Sequence, residues 1–144
     1  MVCKKHDWVN KKVEINRLAN GLSEQVTIIN GHPKKWHHML FNQKMSVEKW
    51  LESFRTASFV ITDSYHGMIF SLLFKKQFLV LVNQKRGATR FEFLARQLKI
   101  ENRLCYGVLP STDSLTPLNY NEVFERLDTL RHISRDFLSN NLFS

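Results

Sequence analysis

A chain of 144 residues with 43% hydrophobic residues is long enough for one domain with a sizeable core, and this composition excludes a mainly disordered protein. No run of 18 apolar residues occurs, so no transmembrane helix is predicted. The formal net charge of +8 includes lysine pairs dispersed along the chain, a pattern typical of solvated faces, and a surface that attracts anionic ligands is the alternative.

The N-terminal part of the chain predicts two helices separated by a short strand and an irregular segment. Residues 8–20 have a moderately amphipathic pattern closed by Asn20-Gly21, residues 25–30 have a strand pattern, and Ser46 can cap a helix. That helix carries one apolar stripe, because its large apolar residues recur at i, i+3, i+4 and i+7: Val47, Trp50, Leu51 and Phe54. No strand precedes the first helix, so we expect the chain to be either a piece of a longer protein or a truncated relative.

The remainder of the chain alternates short apolar runs with helical patterns. Strands are predicted at 57–62, 78–82 and 104–109, and helices at 67–74, 90–98 and 121–138. Thr89-x-x-Glu92 fits the capping box that opens the second of these helices. The order indicates an α/β fold with a Rossmann-like parallel sheet flanked by helices. Residues 1–144 are predicted to form one domain, with residues 119–144 a C-terminal helix packed on it.

The candidate site lies in the segment Thr62-Asp63-Ser64-Tyr65-His66-Gly67, between a predicted strand and a predicted helix. In an open α/β sheet, ligands bind outside the carboxyl ends of the strands, where this segment falls. A helix N-terminus offers free N–H groups and a partial positive charge, which suit an anion. Gly67 lets a ligand approach the backbone, His66 can donate a hydrogen bond or a proton, and Ser64 and Tyr65 add hydroxyls. Asp63 orients His66 or an arginine, or it caps the helix.

A second loop follows the next predicted strand and carries three cations. Lys85, Arg86 and Arg90 lie in "NQKRGATR", and an arginine fork suits a carboxylate or a phosphate. If the two strands are neighbours, both loops face one crevice. The alternatives are that the two arginines are solvated loop charges, and that Tyr65 packs against the sheet.

Metal, nucleotide and nucleic-acid sites lack support in the sequence. His32, His37 and His38 have no carboxylate or cysteine beside them at ligand spacing, so no metal site is predicted. Neither a G-x-G-x-x-G motif nor a Walker loop occurs, so no dinucleotide or ATP cofactor is expected. Lysines and aromatics are not interleaved on one stripe, which disfavours a nucleic-acid partner. Cys3 and Cys105 are expected to be unpaired thiols in a reducing compartment.

Residues 46–104 resemble the C-terminal part of the polysaccharide pyruvyl transferase family. The resemblance rests on a helix with a Trp50-Leu51 pair, then "A-x-F-V-I-T-D-S-Y-H-G" at 57–67, then "K-R-G-x-x-R-F" at 85–91. It implies one half of a two-domain architecture like that of the GT-B glycosyltransferases. It also implies that pyruvate is transferred from phosphoenolpyruvate to sugar hydroxyls of surface or capsular polysaccharides, forming a ketal.

The resemblance assigns roles within the first loop. The D-x-x-H-G element of the family falls on Asp63, His66 and Gly67, which implies that Asp63 and His66 are catalytic. In some members an arginine that helps to bind phosphoenolpyruvate stands at the position of Ser64, so we expect Arg86 or Arg90 to replace that contact. Phosphoenolpyruvate is the donor substrate, the acceptor is a sugar or oligosaccharide, and no cofactor is implied.

The resemblance also implies a missing N-terminal domain that would form the other wall of the cleft, so this chain by itself is either inactive or incomplete. We expect a cytoplasmic protein, either free or peripherally associated with the inner face of the membrane. Two other classes stay open. One is a GT-B-like glycosyltransferase domain that uses a sugar nucleotide, and the other is an anion-binding module without activity.

Overall fold

A computed structural model describes residues 8–27, 46–84 and 87–142, with side chains from residue 11 onwards. Within these ranges the chain forms five α-helices and three strands in a βα alternation. In chain order they are α1 (Trp8–Gly21), α2 (Val47–Thr56), β1 (Phe59–Thr62), α3 (Tyr65–Leu73), β2 (Gln77–Leu81), α4 (Ala88–Leu98), β3 (Leu104–Cys105) and α5 (Tyr120–Leu142). Two 3-10 turns, Glu101–Arg103 and Thr112–Ser114, lie between α4 and α5.

The three strands form one parallel sheet in the order β1-β2-β3. Phe59 pairs with Gln77 and Thr62 with Val80, while Val80 and Leu81 pair with Leu104 and Cys105. A parallel sheet needs helical crossovers that cover its faces, and each strand here is followed by a helix or a helical turn. The predicted α/β class with a parallel sheet is therefore confirmed.

Helices cover both faces of the sheet, which explains the unbroken apolar run of β2. Phe78 and Val80 point into a core shared with α2, α3, α4 and α5. The alternate residues, Leu79 and Leu81, point into a second core with Ile15 of α1. Because strand side chains alternate between faces, an apolar residue is needed at every position when both faces are buried.

Most predicted helices form, with shifted ends. Ser46 caps α2 as predicted, since its hydroxyl oxygen accepts a hydrogen bond of 3.3 Å from the Lys49 amide. The capping box at Thr89 and Glu92 is wrong, because α4 begins at Ala88 after Gly87, which is the N-cap with φ of 70°. A left-handed glycine turns the chain into the helix earlier than the polar pattern indicated.

Two predicted strands differ from the structure. Residues 25–27 are not in a strand, and the rest of the predicted strand at 25–30 lies outside the described residues. The predicted strand at 104–109 is wrong beyond Cys105, because Gly107 takes a φ of 111° and ends the extended conformation. The early end of β3 leaves Tyr106 in a loop at the carboxyl edge of the sheet.

Helix α5 is anchored at its start and exposed at its end. Val123 is buried in the core, whereas residues 131–142 are exposed. None of the helices in the described ranges is both long and apolar enough to cross a membrane.

The start of α5 is held by one partly buried and one buried polar side chain. The Tyr120 hydroxyl donates to the carbonyls of Ser71 and Lys76, which tie α5 to the turn between α3 and β2. Arg103 is buried beside it and donates to the Thr116 carbonyl. Burial raises the pKa of Tyr120 far above its usual value, although the charge of Arg103 acts in the opposite direction.

The raised pKa of Tyr120 predicts a loss of stability at alkaline pH. The neutral phenol stabilises the fold below the unfolded pKa of about 10, and the free energy of unfolding falls by about 1.4 kcal/mol per pH unit above it. Tyr120→Phe should cost about 1–2 kcal/mol at neutral pH, because it removes the donated hydrogen bond. Urea unfolding of both proteins between pH 7 and pH 11 measures this. A difference in stability between them that stays constant across this range would contradict the prediction.

Cys105 is predicted to be chemically inert in the folded chain. The side chain is buried, and burial raises the pKa of its thiol to about 11. Since the thiolate is the nucleophile, a Cys3→Ser chain should react with a disulfide reagent at pH 8 about a hundredfold more slowly when folded than in urea. The reaction rate is followed by the absorbance of the released reagent. Equal rates in the folded chain and in urea would contradict the prediction and mean that this side of the sheet opens readily.

Candidate functional site

The candidate site lies at the carboxyl edge of the sheet. β1 and β2 are parallel neighbours, so the turn at 63–64 and the loop after Leu81 leave the same edge. β3 is parallel to β2, and the residues after Cys105 leave that edge as well. The first two strands are thus neighbours, as the shared crevice requires, and a third loop leaves the same edge.

A hydrogen bond from the backbone to Thr62 shapes the turn after β1. The Thr62 hydroxyl oxygen accepts the amide of Ser64 at 3.1 Å, and the Thr62 side chain is fully buried. Ser64 is the N-cap of α3 in an extended conformation, and its hydroxyl makes no capping bond. Asp63 is half-buried and stands one residue before the cap position, so the N-cap is Ser64 rather than Asp63.

His66 belongs to the first turn of α3 rather than to a loop. The helix was predicted from residue 67, but it begins at Tyr65, and the Met68 amide donates to the Ser64 carbonyl at 3.0 Å. The prediction missed the first two helical residues because both precede the apolar run on which it relied. His66 is exposed, so its imidazole faces solvent at the positive end of a helix dipole.

Gly67 is explained by packing of α3 against β1. Gly67 is buried, and a Cβ built on it would lie 2.9 Å from Thr62 Cβ and 3.1 Å from Thr62 Cγ2. A glycine is therefore needed for helix and strand to approach this closely. A side chain at this position would point towards the strand. Contact of a ligand with the Gly67 backbone stays a prediction.

An aromatic contact joins the first turns of α3 and α4. The rings of Tyr65 and Phe91 meet edge to face, with centroids 5.5 Å apart. The guanidinium carbon of Arg90 lies 5.3 Å from the centroid of the Tyr65 ring, within the range of a cation–π interaction. Tyr65 is thus in contact with α4, and it carries an exposed arginine beside the helix end where His66 lies.

Arg90 is the predicted cation that the structure brings to the first loop. Arg90 makes no salt bridge with any carboxylate of the described residues. Lys85 and Arg86 lie outside the described residues, so their predicted roles stay predictions. The first turn of α4 thus supplies one positive charge to the edge that holds His66.

The third loop was missed by the analysis of the sequence. The Tyr106 hydroxyl donates a hydrogen bond of 2.8 Å to Glu92 Oε1, so the loop after β3 is attached to the first half of α4. Partial burial, followed by this hydrogen bond, raises the pKa of Tyr106. Glu92 was interpreted as part of a capping box. The signal that could have revealed the pair is the position of Tyr106 directly before a glycine, after a strand of the same sheet.

Within the part of the chain that the structure describes, no group of three histidine, cysteine, aspartate or glutamate side chains could hold a metal ion. His32, His37 and His38 lie outside the described residues. The functional groups at the described edge are therefore the N-terminus of α3, an imidazole, a guanidinium, and a carboxylate that is hydrogen-bonded to a phenol.

Replacing Gly67 tests whether the edge depends on the close packing of α3. Gly67→Ala should lower the free energy of unfolding by about 1–3 kcal/mol, because the added methyl group overlaps Thr62. Adding Thr62→Ala should make the glycine substitution less costly, since it removes the hydroxyl and the Cγ2 methyl group that the new Cβ meets. Urea unfolding of the four proteins of this double-mutant cycle measures the coupling. Additive effects would show that the two positions do not touch.

Comparison with protein families gives a match to the family described as Polysaccharide pyruvyl transferase, over residues 4–85. No curated protein and no solved structure matches the chain. The match covers more than half of the chain and includes β1, the turn with Asp63 and Ser64, α3 with His66, and β2, and it ends before Arg90. The chain therefore belongs to the polysaccharide pyruvyl transferase family.

Proposed function

We propose that the edge formed by α3 and α4 binds phosphoenolpyruvate, and that the chain is the donor-binding part of a pyruvyl transferase. One observation carries the proposal. His66 is exposed in the first turn of α3. Arg90 lies over the ring of Tyr65, the residue directly before His66. Membership of the family supports transfer of a pyruvyl group to a polysaccharide.

The donor has two anionic groups, and the edge has two features that attract anions. The N-terminus of α3 presents backbone amides and a partial positive charge, which suit a phosphate. The guanidinium of Arg90 can form a bidentate pair with a carboxylate or phosphate. Arg90 thus takes over the contact that an arginine makes in some members at the position of Ser64, and Lys85 and Arg86 would add to it.

The reaction needs a proton donor near the methylene carbon of phosphoenolpyruvate. Protonation of that carbon makes a methyl group and a cationic carbon, which a sugar hydroxyl attacks. The bond between that carbon and the phosphate oxygen then breaks, inorganic phosphate leaves, and a second hydroxyl attacks the same carbon to close the ketal. The two hydroxyls lose two protons, one of which balances the proton added to carbon, while the other leaves with phosphate. His66 serves as the acid, or it binds the leaving phosphate.

The neighbours of His66 have supporting roles in this proposal. Asp63, at the end of β1, orients His66 or an arginine. Tyr65 holds Arg90 over its ring, and the amide of Gly67 and the hydroxyl of Ser64 face the donor. No cofactor takes part, since phosphoenolpyruvate itself is the activated donor.

The architecture proposed for the whole enzyme has two Rossmann-like halves of the GT-B type, of which this chain is the C-terminal one. A partner half with its own sheet would close the cleft over the edge that holds His66. We place the enzyme in the cytoplasm, either free or at the inner face of the membrane, where phosphoenolpyruvate is supplied by metabolism.

Titration of phosphoenolpyruvate into the chain, followed by calorimetry, tests the proposal. His66→Ala and Arg90→Ala should each weaken binding by about tenfold, because each removes a charge-assisted hydrogen bond to the donor. His132→Ala and Arg96→Ala are matched controls, because both residues are exposed, Arg96 lies in the last turn of α4, and His132 lies in the exposed part of α5.

Two outcomes would contradict the proposal. One is that the unaltered chain binds no phosphoenolpyruvate, and the other is that all four variants bind it equally well. A parallel titration with a nucleotide sugar distinguishes a pyruvyl transferase from a glycosyltransferase, because tighter binding of the nucleotide sugar would favour the glycosyltransferase.

A further inference from the structure

The loop after β3 presents an open surface next to the donor edge. Tyr106 is 48% exposed and Val108 is 74% exposed. Between them Gly107 has a φ of 111°, and a Cβ built on it would meet nothing within 4 Å. This loop therefore exposes an aromatic ring, bare backbone and an apolar side chain together.

Glu92 of α4 adds a carboxylate to this surface. Tyr106 donates to Glu92 Oε1 at 2.8 Å, so the phenol holds the carboxylate in one orientation. Glu92 Oε2 has no hydrogen-bond donor among the described residues, and a carboxylate oxygen can accept more than one bond. The pair thus offers a fixed acceptor beside an exposed ring.

The pair lies close to the proposed donor site because one turn of α4 serves both. Arg90 contacts the Tyr65 ring, Phe91 packs against the same ring, and Glu92 reaches Tyr106. Residues two apart on a helix point about 200° apart, so α4 presents its cation towards one loop and its carboxylate towards the other.

The Glu92 carboxylate is not suited to bind the anionic donor, so it would bind a ligand of another kind. It would repel phosphoenolpyruvate, whereas a sugar is a neutral polyol whose hydroxyls donate hydrogen bonds. The apolar C–H face of a sugar ring packs against an aromatic ring, and its hydroxyls bind to a carboxylate through charge-assisted hydrogen bonds. Tyr106 and Glu92 provide both contacts in adjacent positions.

We propose that Tyr106 and Glu92 form the subsite for the acceptor sugar. The sugar ring lies on the exposed face of Tyr106, and one of its hydroxyls donates to Glu92 Oε2. This inference rests on the proposed function, because it takes the cation-bearing part of the same edge as the donor site. It assigns the sugar-binding step to this chain and not only to a partner half.

Saturation-transfer NMR with the methyl glycosides of glucose, galactose and mannose tests the subsite, in the presence of phosphoenolpyruvate. Tyr106→Ala and Glu92→Gln should each weaken binding of a responding glycoside by about tenfold, and Tyr106→Phe should weaken it less because the ring is kept. Glu125→Gln on α5 is the matched control, since Glu125 is exposed and its carboxylate makes no salt bridge to a described residue.

Glu92→Gln separates sugar binding from a role in holding the loop. A glutamine oxygen still accepts from Tyr106, so a merely structural pair would leave glycoside binding unchanged in this variant. That result would overturn the proposal, as would the absence of saturation transfer to every glycoside with the unaltered chain.

Binding of phosphoenolpyruvate is measured on the same samples, so that a failure of the donor site can be distinguished from a failure of the acceptor subsite. Phosphoenolpyruvate binding without glycoside binding would overturn the acceptor subsite alone. Glycoside binding that depends on Tyr106 and Glu92, without phosphoenolpyruvate binding, would overturn the donor site and leave the sugar subsite standing. Glu92→Gln should bind phosphoenolpyruvate at least as well as the unaltered chain, because it removes a negative charge.

Discussion

The close approach of α3 to β1 at Gly67 and Thr62 sets the position of everything at the carboxyl edge. Thr62 is fully buried, its hydroxyl accepts the Ser64 amide, and its side chain fills the space that any other residue at 67 would need. This contact places the first turn of α3 directly over the end of the strand. His66 is thereby held at the helix N-terminus, and Tyr65 reaches α4. The His66-Gly67 pair thus combines an exposed imidazole with a glycine that sets the position of its helix.

The first half of α4 organises the rest of the edge by presenting opposite charges in two directions. Arg90 lies over Tyr65, and Glu92 accepts a hydrogen bond from Tyr106. Under the proposed function, the cation would hold the anionic donor and the carboxylate would hold the polyol acceptor. Three loops leave the same edge of three neighbouring parallel strands, and strands in a sheet lie only about 4.8 Å apart.

The sequence predicted the class of fold and the place of the first loop, but it misplaced the ends of several elements. β2 was evident because both faces of the sheet are buried, so every one of its residues except Gln77 is apolar. The first turn of α3 was missed because Tyr65 and His66 precede the apolar run on which the prediction relied. The supposed capping box failed because Gly87 rather than Thr89 is the N-cap of α4, and Glu92 is instead bound by Tyr106, fourteen residues further along the chain.

The sequence by itself determined the parallel α/β class, the cap at Ser46, and the concentration of polar and basic residues in two successive βα loops, since these follow from periodicity and local chemistry. Only the tertiary structure decided that Gly67 serves packing, that Arg90 meets Tyr65, and that Glu92 pairs with Tyr106. The physical reason is that these three facts depend on distances between residues on different elements. Such distances are set by how the helices pack on the sheet, and a linear pattern does not contain them.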